Sequence, residues 1–573
     1  MARAPVRGAA IGGLLALLLT APASAGVATA ARSGGADAIV PARASSSLPA
    51  VAGAMASGGP SIIESYRRLE RGTLPKHSIL AATTPSPLAT GVSVTLFTAD
   101  VDGDGVQELA QVRGTASNPK IAVTDGGTGV PRWTYATGTT FFSVFPVPDA
   151  SGAADLLVFD GASWRVRVLD GATGTILWTR SLPDADFVGY WGVSAAPGGG
   201  DIVIGGYHTD APLVNRLDIE FHSLATGAPT GTYELRGEGD YPSAALAGDL
   251  DGDGVGDLFA YTPIDTYSAG AAGLLSAVGA RGATTTWTVP VAMPVTDFVW
   301  LTPSADITGD GKLDPALLAE WDDPTSGLPA RDTVNVFDGN GPGGPAGSIT
   351  QVDLNQIAQA VVVGGDAAGR DLIFSGAMYN LTDGYGFVDF EAIGRGGRVW
   401  ESRPSYGTSY ANFGAAWWPD ARDLNGDGLA DALIDLGSAE IGYDRVVAVD
   451  QRGGAALWTQ DATAGAFAIP ALADLSGDGG ADVLSGLTVS HPASTQTRFS
   501  FGAVNGSSGA SLWSHERLLA AGGQTWSLYA MGGRFDASGQ QDVVVEYDLG
   551  GSGRHLAERL HGPDGTVIWQ DPA

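Results

Sequence analysis

Five stretches of the 573-residue chain set carboxylates at alternate positions around glycines, and the chemistry open to that arrangement is capture of a hard cation by oxygen. They run Asp100-Val-Asp-Gly-Asp-Gly-Val-Gln-Glu108, Asp249-Leu-Asp-Gly-Asp-Gly-Val-Gly-Asp257 and Asp306-Ile-Thr-Gly-Asp-Gly-Lys-Leu-Asp314. Then follow Asp423-Leu-Asn-Gly-Asp-Gly-Leu-Ala-Asp431 and Asp474-Leu-Ser-Gly-Asp-Gly-Gly-Ala-Asp482. Calcium takes six to eight oxygens at about 2.3–2.6 Å. In the first loop Asp100, Asp102 and Asp104 supply alternating carboxylates, Gly105 permits the bend, Val106 offers its carbonyl and Glu108 closes the site. The same positions are Asp249, Asp251, Asp253, Val255 and Asp257 in the second loop, and Asp306, Thr308, Asp310, Lys312 and Asp314 in the third. In the fourth they are Asp423, Asn425, Asp427, Leu429 and Asp431, and in the fifth Asp474, Ser476, Asp478, Gly480 and Asp482. Up to five Ca2+ ions are expected, bound more weakly by the three loops with fewer charges. An EF-hand is excluded, because its twelfth position needs a bidentate Glu and here holds Gln111, Ala260, Leu317, Ile434 and Ser485. Without a cation such clustering of like charge costs stability.

Worn copies of the loop, expected to bind nothing, end at Asp155, Asp201, Asp371 and Asp542, so the closing acid recurs nine times at intervals of 46 to 60 residues. A second mark alternates with it: a glycine followed four residues later by tryptophan, as in Gly129–Trp133, Gly174–Trp178, Gly396–Trp400, Gly454–Trp458, Gly509–Trp513 and Gly565–Trp569. Trp287 and Tyr233 occupy looser versions. Between the marks lie β-type runs such as Asp155-Leu-Leu-Val-Phe159, and pairs such as Asp170-Gly171 and Asn505-Gly506 read as hairpin turns. Each unit is therefore strand, acidic loop, strand, connection, strand, glycine turn, strand. Four antiparallel strands per unit make a propeller blade, whose two faces are covered only by neighbouring blades. The fold class expected is all-β, a single β-propeller of eight or nine four-stranded blades over residues 93–573. The recurrent tryptophans are expected to wedge between blades rather than stack on ligand.

The acidic loop entering an apolar strand resembles the FG-GAP/VCBS repeats of integrin-α-like β-propellers. The resemblance spans about residues 93 to 573, with five of nine loops intact. It implies a propeller stabilised by calcium in the loop joining the first two strands of a blade.

Upstream, Arg3 and Arg7, the apolar run Ile11 to Leu19 and Ala23-Ser24-Ala25 read as an export signal cleaved after Ala25. The apolar run is too short to span a bilayer, so a secreted, extracellular chain with no membrane span in its mature part is expected. Residues 26–92 have linker composition, with a short helix near 62–71 opened by the capping-box spacing Ser61-Ile-Ile-Glu64. A formal charge of −31 with only three lysines argues against nucleic acid, and the absence of cysteine excludes disulfides, thiol catalysis and thiolate metal sites.

Catalytic signatures are thin. The seven histidines show no zinc spacing, Gly339, Gly341 and Gly344 match G-x-G-x-x-G only in a proline-broken loop, and no G-x-S-x-G elbow exists. No residue is assigned a catalytic or organic-cofactor role. The first reading is a monomeric, non-enzymatic binding or adhesion module for an extracellular protein or glycan. The alternatives are a carbohydrate-active propeller enzyme or lectin, and a quinoprotein-like dehydrogenase, since Asp170-Gly-Ala-Thr-Gly-Thr-Ile-Leu-Trp178 is similar to the tryptophan-docking repeat of those enzymes.

Overall fold

The computed structural model describes residues 78–80 and, with interruptions, residues 94–571. The export signal, the cleavage point and the helix expected near 62–71 lie outside the described residues. Among the described residues every regular element is a strand.

The alternating apolar runs pair as the repeat predicts. The first sheet takes Val94–Ala99, Glu108–Thr115, Asn118–Thr124 and Pro131–Ala136 in sequence order, all antiparallel. The second repeats this with Phe142–Pro148, Ala154–Asp160, Arg165–Leu169 and Ile176–Ser181. The third uses Phe187–Ser194, Asp201–Ala211, Val214–Ser223 and Pro229–Glu238, with Ser78–Leu80 added parallel to its first strand. Two more four-stranded sheets follow, Ser243–Leu246 to Thr285–Ala292 and Phe298–Pro303 to Gly347–Val352. Three two-stranded pairs cover residues 357–409, and three further four-stranded sheets complete the chain. The last of these, called the C-terminal sheet below, is Ser527–Gly533, Asp542–Leu549, Arg554–Leu560 and Val567–Asp571.

A meander of four strands leaves both faces apolar, so the core lies between sheets rather than inside one. Phe97, Val112 and Ile121 of the first sheet pack with Val144, Leu156 and Val158 of the second. Phe159 and Trp178 of the second pack with Ile202 and Ile204 of the third. Phe499 and Trp513 pack with Val543, Val545 and Tyr547 of the C-terminal sheet. The series then returns to its start, because Val544 and Phe535 pack with Leu109 of the first sheet. First strands of several successive sheets stand side by side, and Ser527–Gly533 lies against Val94–Ala99. Four-stranded meanders arranged around a common axis, with the last against the first, constitute a β-propeller.

Candidate cation loops and tryptophan joints

Each intact acidic loop joins the first and second strands of its sheet, and its opening aspartate organises the turn. Asp249 accepts the Gly252 amide at 2.7 Å through one carboxylate oxygen and the Gly254 amide at 2.9 Å through the other. Asp100 holds Gly103 and Gly105 in the same way, Asp423 holds Gly426 and Gly428, and Asp474 holds Gly477 and Gly479. In the third loop Asp306 takes the amides of Asp310 and Gly311. The wrap demands left-handed backbone: φ is +85° at Gly252 and +84° at Gly254. This is why glycine occupies both places.

The closing acid does a second job. Asp257, 1% exposed, accepts the Leu250 amide at 2.7 Å with one oxygen and the Ala280 amide at 3.0 Å with the other, tying the loop to its own sheet's outer hairpin. Asp314 does this with Thr308 and Gly339, and Asp482 with Ser476 and Gly506. Two of the worn loops keep the hairpin bond, Asp155 from Gly171 at 2.9 Å and Asp542 from Gly562 at 2.7 Å. The closing acid is thus an amide acceptor as well as the ligand that its place in the loop suggests. Its survival in loops that have lost the acids at positions three and five is the signal of a structural role.

Among the described residues two loops bring three carboxylates together: oxygens of Asp100, Asp102 and Glu108 lie within 4.8 Å of one another, as do those of Asp249, Asp251 and Asp257. The position-five carboxylates, Asp104 and Asp253, stand outside these groups and accept the amides of Val106 and Val255, each at 2.8 Å. Asp310 and Asp478 likewise take the amides of Lys312 and Gly480. Thr308, Asn425 and Ser476 remove the middle acid from the other three loops. Asn425 accepts the Asp427 amide at 3.0 Å, and Leu429 lies outside the described residues. The Glu108 side chain is fully buried, and its Oε1 has no hydrogen-bond donor aligned on it. That all-oxygen donor set, with a buried carboxylate oxygen that meets a cationic guanidinium at 2.9 Å, fits a hard cation.

Side-chain donors from the outer hairpin reach several of these loops, which sequence spacing did not foresee. Arg132 pairs with Asp102, with Glu108 at 2.9 Å and with Asp125 at 3.0 Å. Arg452 pairs with Asp427 at 2.6 Å, Asn505 donates to Asp478 at 2.7 Å, and Asn340 donates to Asp310. Lys312 reaches across to the neighbouring loop and donates to the Leu250 carbonyl at 2.5 Å. Burial, reinforced by Asp102 and Asp104, pushes the Glu108 carboxyl up to about 7 against the opposing pull of the Val101 amide and Arg132. Burial likewise raises Asp314 to about 6 and lifts Asp257 and Asp482. A cation facing these groups favours the ionised form.

The tryptophans form the joints. The indole N–H of Trp133 donates to the Gly171 carbonyl of the next sheet at 2.8 Å, Trp178 to Leu224 at 2.7 Å and Trp287 to Gly339 at 3.1 Å. Trp458 donates to Gly506 and Trp513 to Gly562, both at 2.5 Å. Each ring lies under a turn glycine of that next sheet, Trp133 under Gly174 at φ +71°. The sheet carrying Tyr233 substitutes a hydroxyl contact with Thr285 at 3.0 Å. Packing between blades is therefore the role of these rings.

Among the described residues no histidine pair converges. His208 meets Asp218, His222 meets Glu220, His515 meets Glu558 and His561 meets Asp564.

No family model matches the chain, and no curated protein matches it. Among solved structures the chain is similar to BamB from Moraxella catarrhalis, at 14% identity over 73% of this chain and 95% of that one, TM-score 0.32. It is similar to the Dos1 propeller at 14% identity over 76% and 94%, TM-score 0.35. It is also similar to a europium-containing methanol dehydrogenase at 11% identity over 81% and 88%, TM-score 0.32. The sheet order and the closing joint are what make this fold a propeller.

Proposed function

We propose that the chain is a secreted, FG-GAP/VCBS-like propeller of eight or nine blades, stiffened by calcium and used as a monomeric binding or adhesion module. The observation that carries the calcium reading is the convergence of Asp249, Asp251 and Asp257 on one point. Those three, with Asp253 and the Val255 carbonyl as further oxygen donors, would hold the ion. Asp100, Asp102 and Glu108 would hold a second after displacing Arg132. The remaining three loops supply three carboxylates each and are weaker sites. The ion's part is to neutralise the carboxylates and rigidify loops that no disulfide restrains. Recognition of an extracellular protein or glycan is assigned to the propeller surface.

Isothermal titration of the metal-stripped mature chain with calcium tests the scaffold, and a glycan array plus pull-down with calcium present tests the ligand class. Loss of one strong site, with binding at the first loop retained, is the expected result in Asp249→Asn/Asp251→Asn. No calcium binding by the native chain overturns the reading.

The tryptophan joints favour a second reading, a quinoprotein-like dehydrogenase, because an indole donating to the next unit's turn is what that repeat implies. Dye reduction after addition of pyrroloquinoline quinone would support it, and its absence leaves the binding module.

A further inference from the structure

The residue facing the joint tryptophan across the outer hairpin is small in sheet after sheet. Val123 faces Trp133, Val168 faces Trp178, Ala277 faces Trp287, Ala448 faces Trp458 and Ala503 faces Trp513. In the C-terminal sheet the residue facing Trp569 is Arg559. It is 1% exposed and is the largest of the fully buried side chains described.

A buried guanidinium is tolerated only when its charge and its donors are all answered. Here they are answered by both sides of one joint. Nε donates to Asp542 at 2.9 Å, and Nη2 donates to the same carboxylate at 2.5 Å and to Asp536. Nη1 points at the carbonyls of Phe535, Gly127 and Gly126 at 3.2, 3.3 and 3.4 Å. Gly126 and Gly127 belong to the outer hairpin of the first sheet, and the Gly126 carbonyl is also the acceptor for Trp569. Asp536 and Asp542 open and close the worn loop Asp536-Ala-Ser-Gly-Gln-Gln-Asp542, which carries no acid between them. The Ser538 hydroxyl and amide and then Arg559 hold the Asp536 carboxyl down at about 2.

We propose that Arg559 is the resident cation of this last loop, a tethered charge that neutralises the loop's two carboxylates and fastens the C-terminal sheet to the first without metal. The ring-closing joint therefore stays shut when dissolved divalent ions are removed. The latch itself stands on the contacts above; only its contrast with the acid-rich loops rests on the calcium reading. Lysine does not substitute, because a single ammonium cannot span two carboxylates and three carbonyls as a planar fork does.

Hydrogen–deuterium exchange with mass spectrometry on the mature chain, with calcium or with EGTA, tests this. In the native chain, peptides over 124–131 and 533–545 should keep their protection in EGTA. In Arg559→Lys those peptides should exchange roughly tenfold faster in both conditions, as expected when buried partners are left uncompensated. Exchange within twofold of native in Arg559→Lys, or loss of protection at these peptides on chelation of the native chain, overturns the proposal. Should Arg559→Lys fail to fold, Asp536→Asn decides, with about threefold faster exchange at the same peptides expected and unchanged exchange overturning it. Failure of the calcium reading registers separately, as no response of residues 249–257 to EGTA.

Discussion

Trp569 donates its indole N–H to the carbonyl of Gly126 at 2.9 Å, across 443 residues of chain. The same bond joins Trp513 to Gly562 and Trp133 to Gly171. Ring closure thus reuses the device that joins consecutive sheets. Replacing Trp513, 7% exposed, by Ala should destabilise the chain by about 3–5 kcal/mol through the cavity it leaves. Trp513→Phe, which keeps a ring and loses the N–H, should cost about 1 kcal/mol beyond its change in volume. Urea unfolding of the two variants checks the ordering.

Two glycines with left-handed backbone should respond very differently to alanine. Gly174 has φ +71° and lies directly on the Trp133 ring, so a β-carbon there breaks the joint as well as straining the backbone. Gly252 has φ +85° but open space around it, which leaves a cost of about 1–2 kcal/mol from conformation alone. Thermal melts should rank Gly174→Ala well below Gly252→Ala.

Much of this architecture is legible in the chain because its determinants are local. The Asp-Gly loops dictate their own turns, as Asp249 shows by holding Gly252 and Gly254. The tryptophan spacing reports the outer hairpin, and the period of the closing acids reports the sheet. What spacing does not show, beyond the wedged tryptophans, is which polar groups meet between units or between hairpin and loop. Arg132 lies 30 residues from Asp102, and Arg559 lies 432 from Gly127. Aligning the units on their hairpin turns would have exposed Arg559, since it stands where Val123, Val168, Ala448 and Ala503 stand elsewhere. The two jobs of the closing acid were equally hidden, because a ligand and an amide acceptor demand the same residue type.

Saturating calcium should raise the unfolding midpoint of the native chain. A site that binds only the folded form contributes about 2.7 kcal/mol at one hundred times its dissociation constant. Asp251→Asn should remove one such increment, while an asparagine at Asp155, in a worn loop, should remove none. Melting curves with calcium and with EGTA supply the comparison.

Arg132 competes with any ion for Asp102 and Glu108. Arg132→Ala should therefore tighten cation binding at the first loop by about tenfold, the size of one lost charge-assisted contact, and leave the second loop unchanged. Terbium luminescence titrations of the native chain and the variant distinguish the two loops.

Asp155 gives a pH signature independent of any ion. Burial, aided by Asp149 and Asp170 and opposed by the Gly171 amide, raises its carboxyl to about 6 from an ordinary 3.8. Protons therefore leave the unfolded chain first, and the contribution of this group to stability declines as pH rises from about 4 to about 6. Asp155→Asn keeps an oxygen for the Gly171 amide and should flatten that decline in urea unfolding series at the two ends of the window.

Because the joint indoles of the described residues dock on the turn of the following sheet and not on their own, the sheets that carry them are incomplete in isolation. A gene assembled from such units can gain or lose whole repeats by recombination, provided each newcomer brings one tryptophan and one receptive glycine turn. The terminal unit is exempt from that freedom. Among the described tryptophan joints its arginine has no counterpart upstream, so lineages that shuffle their interior repeats should still inherit this one.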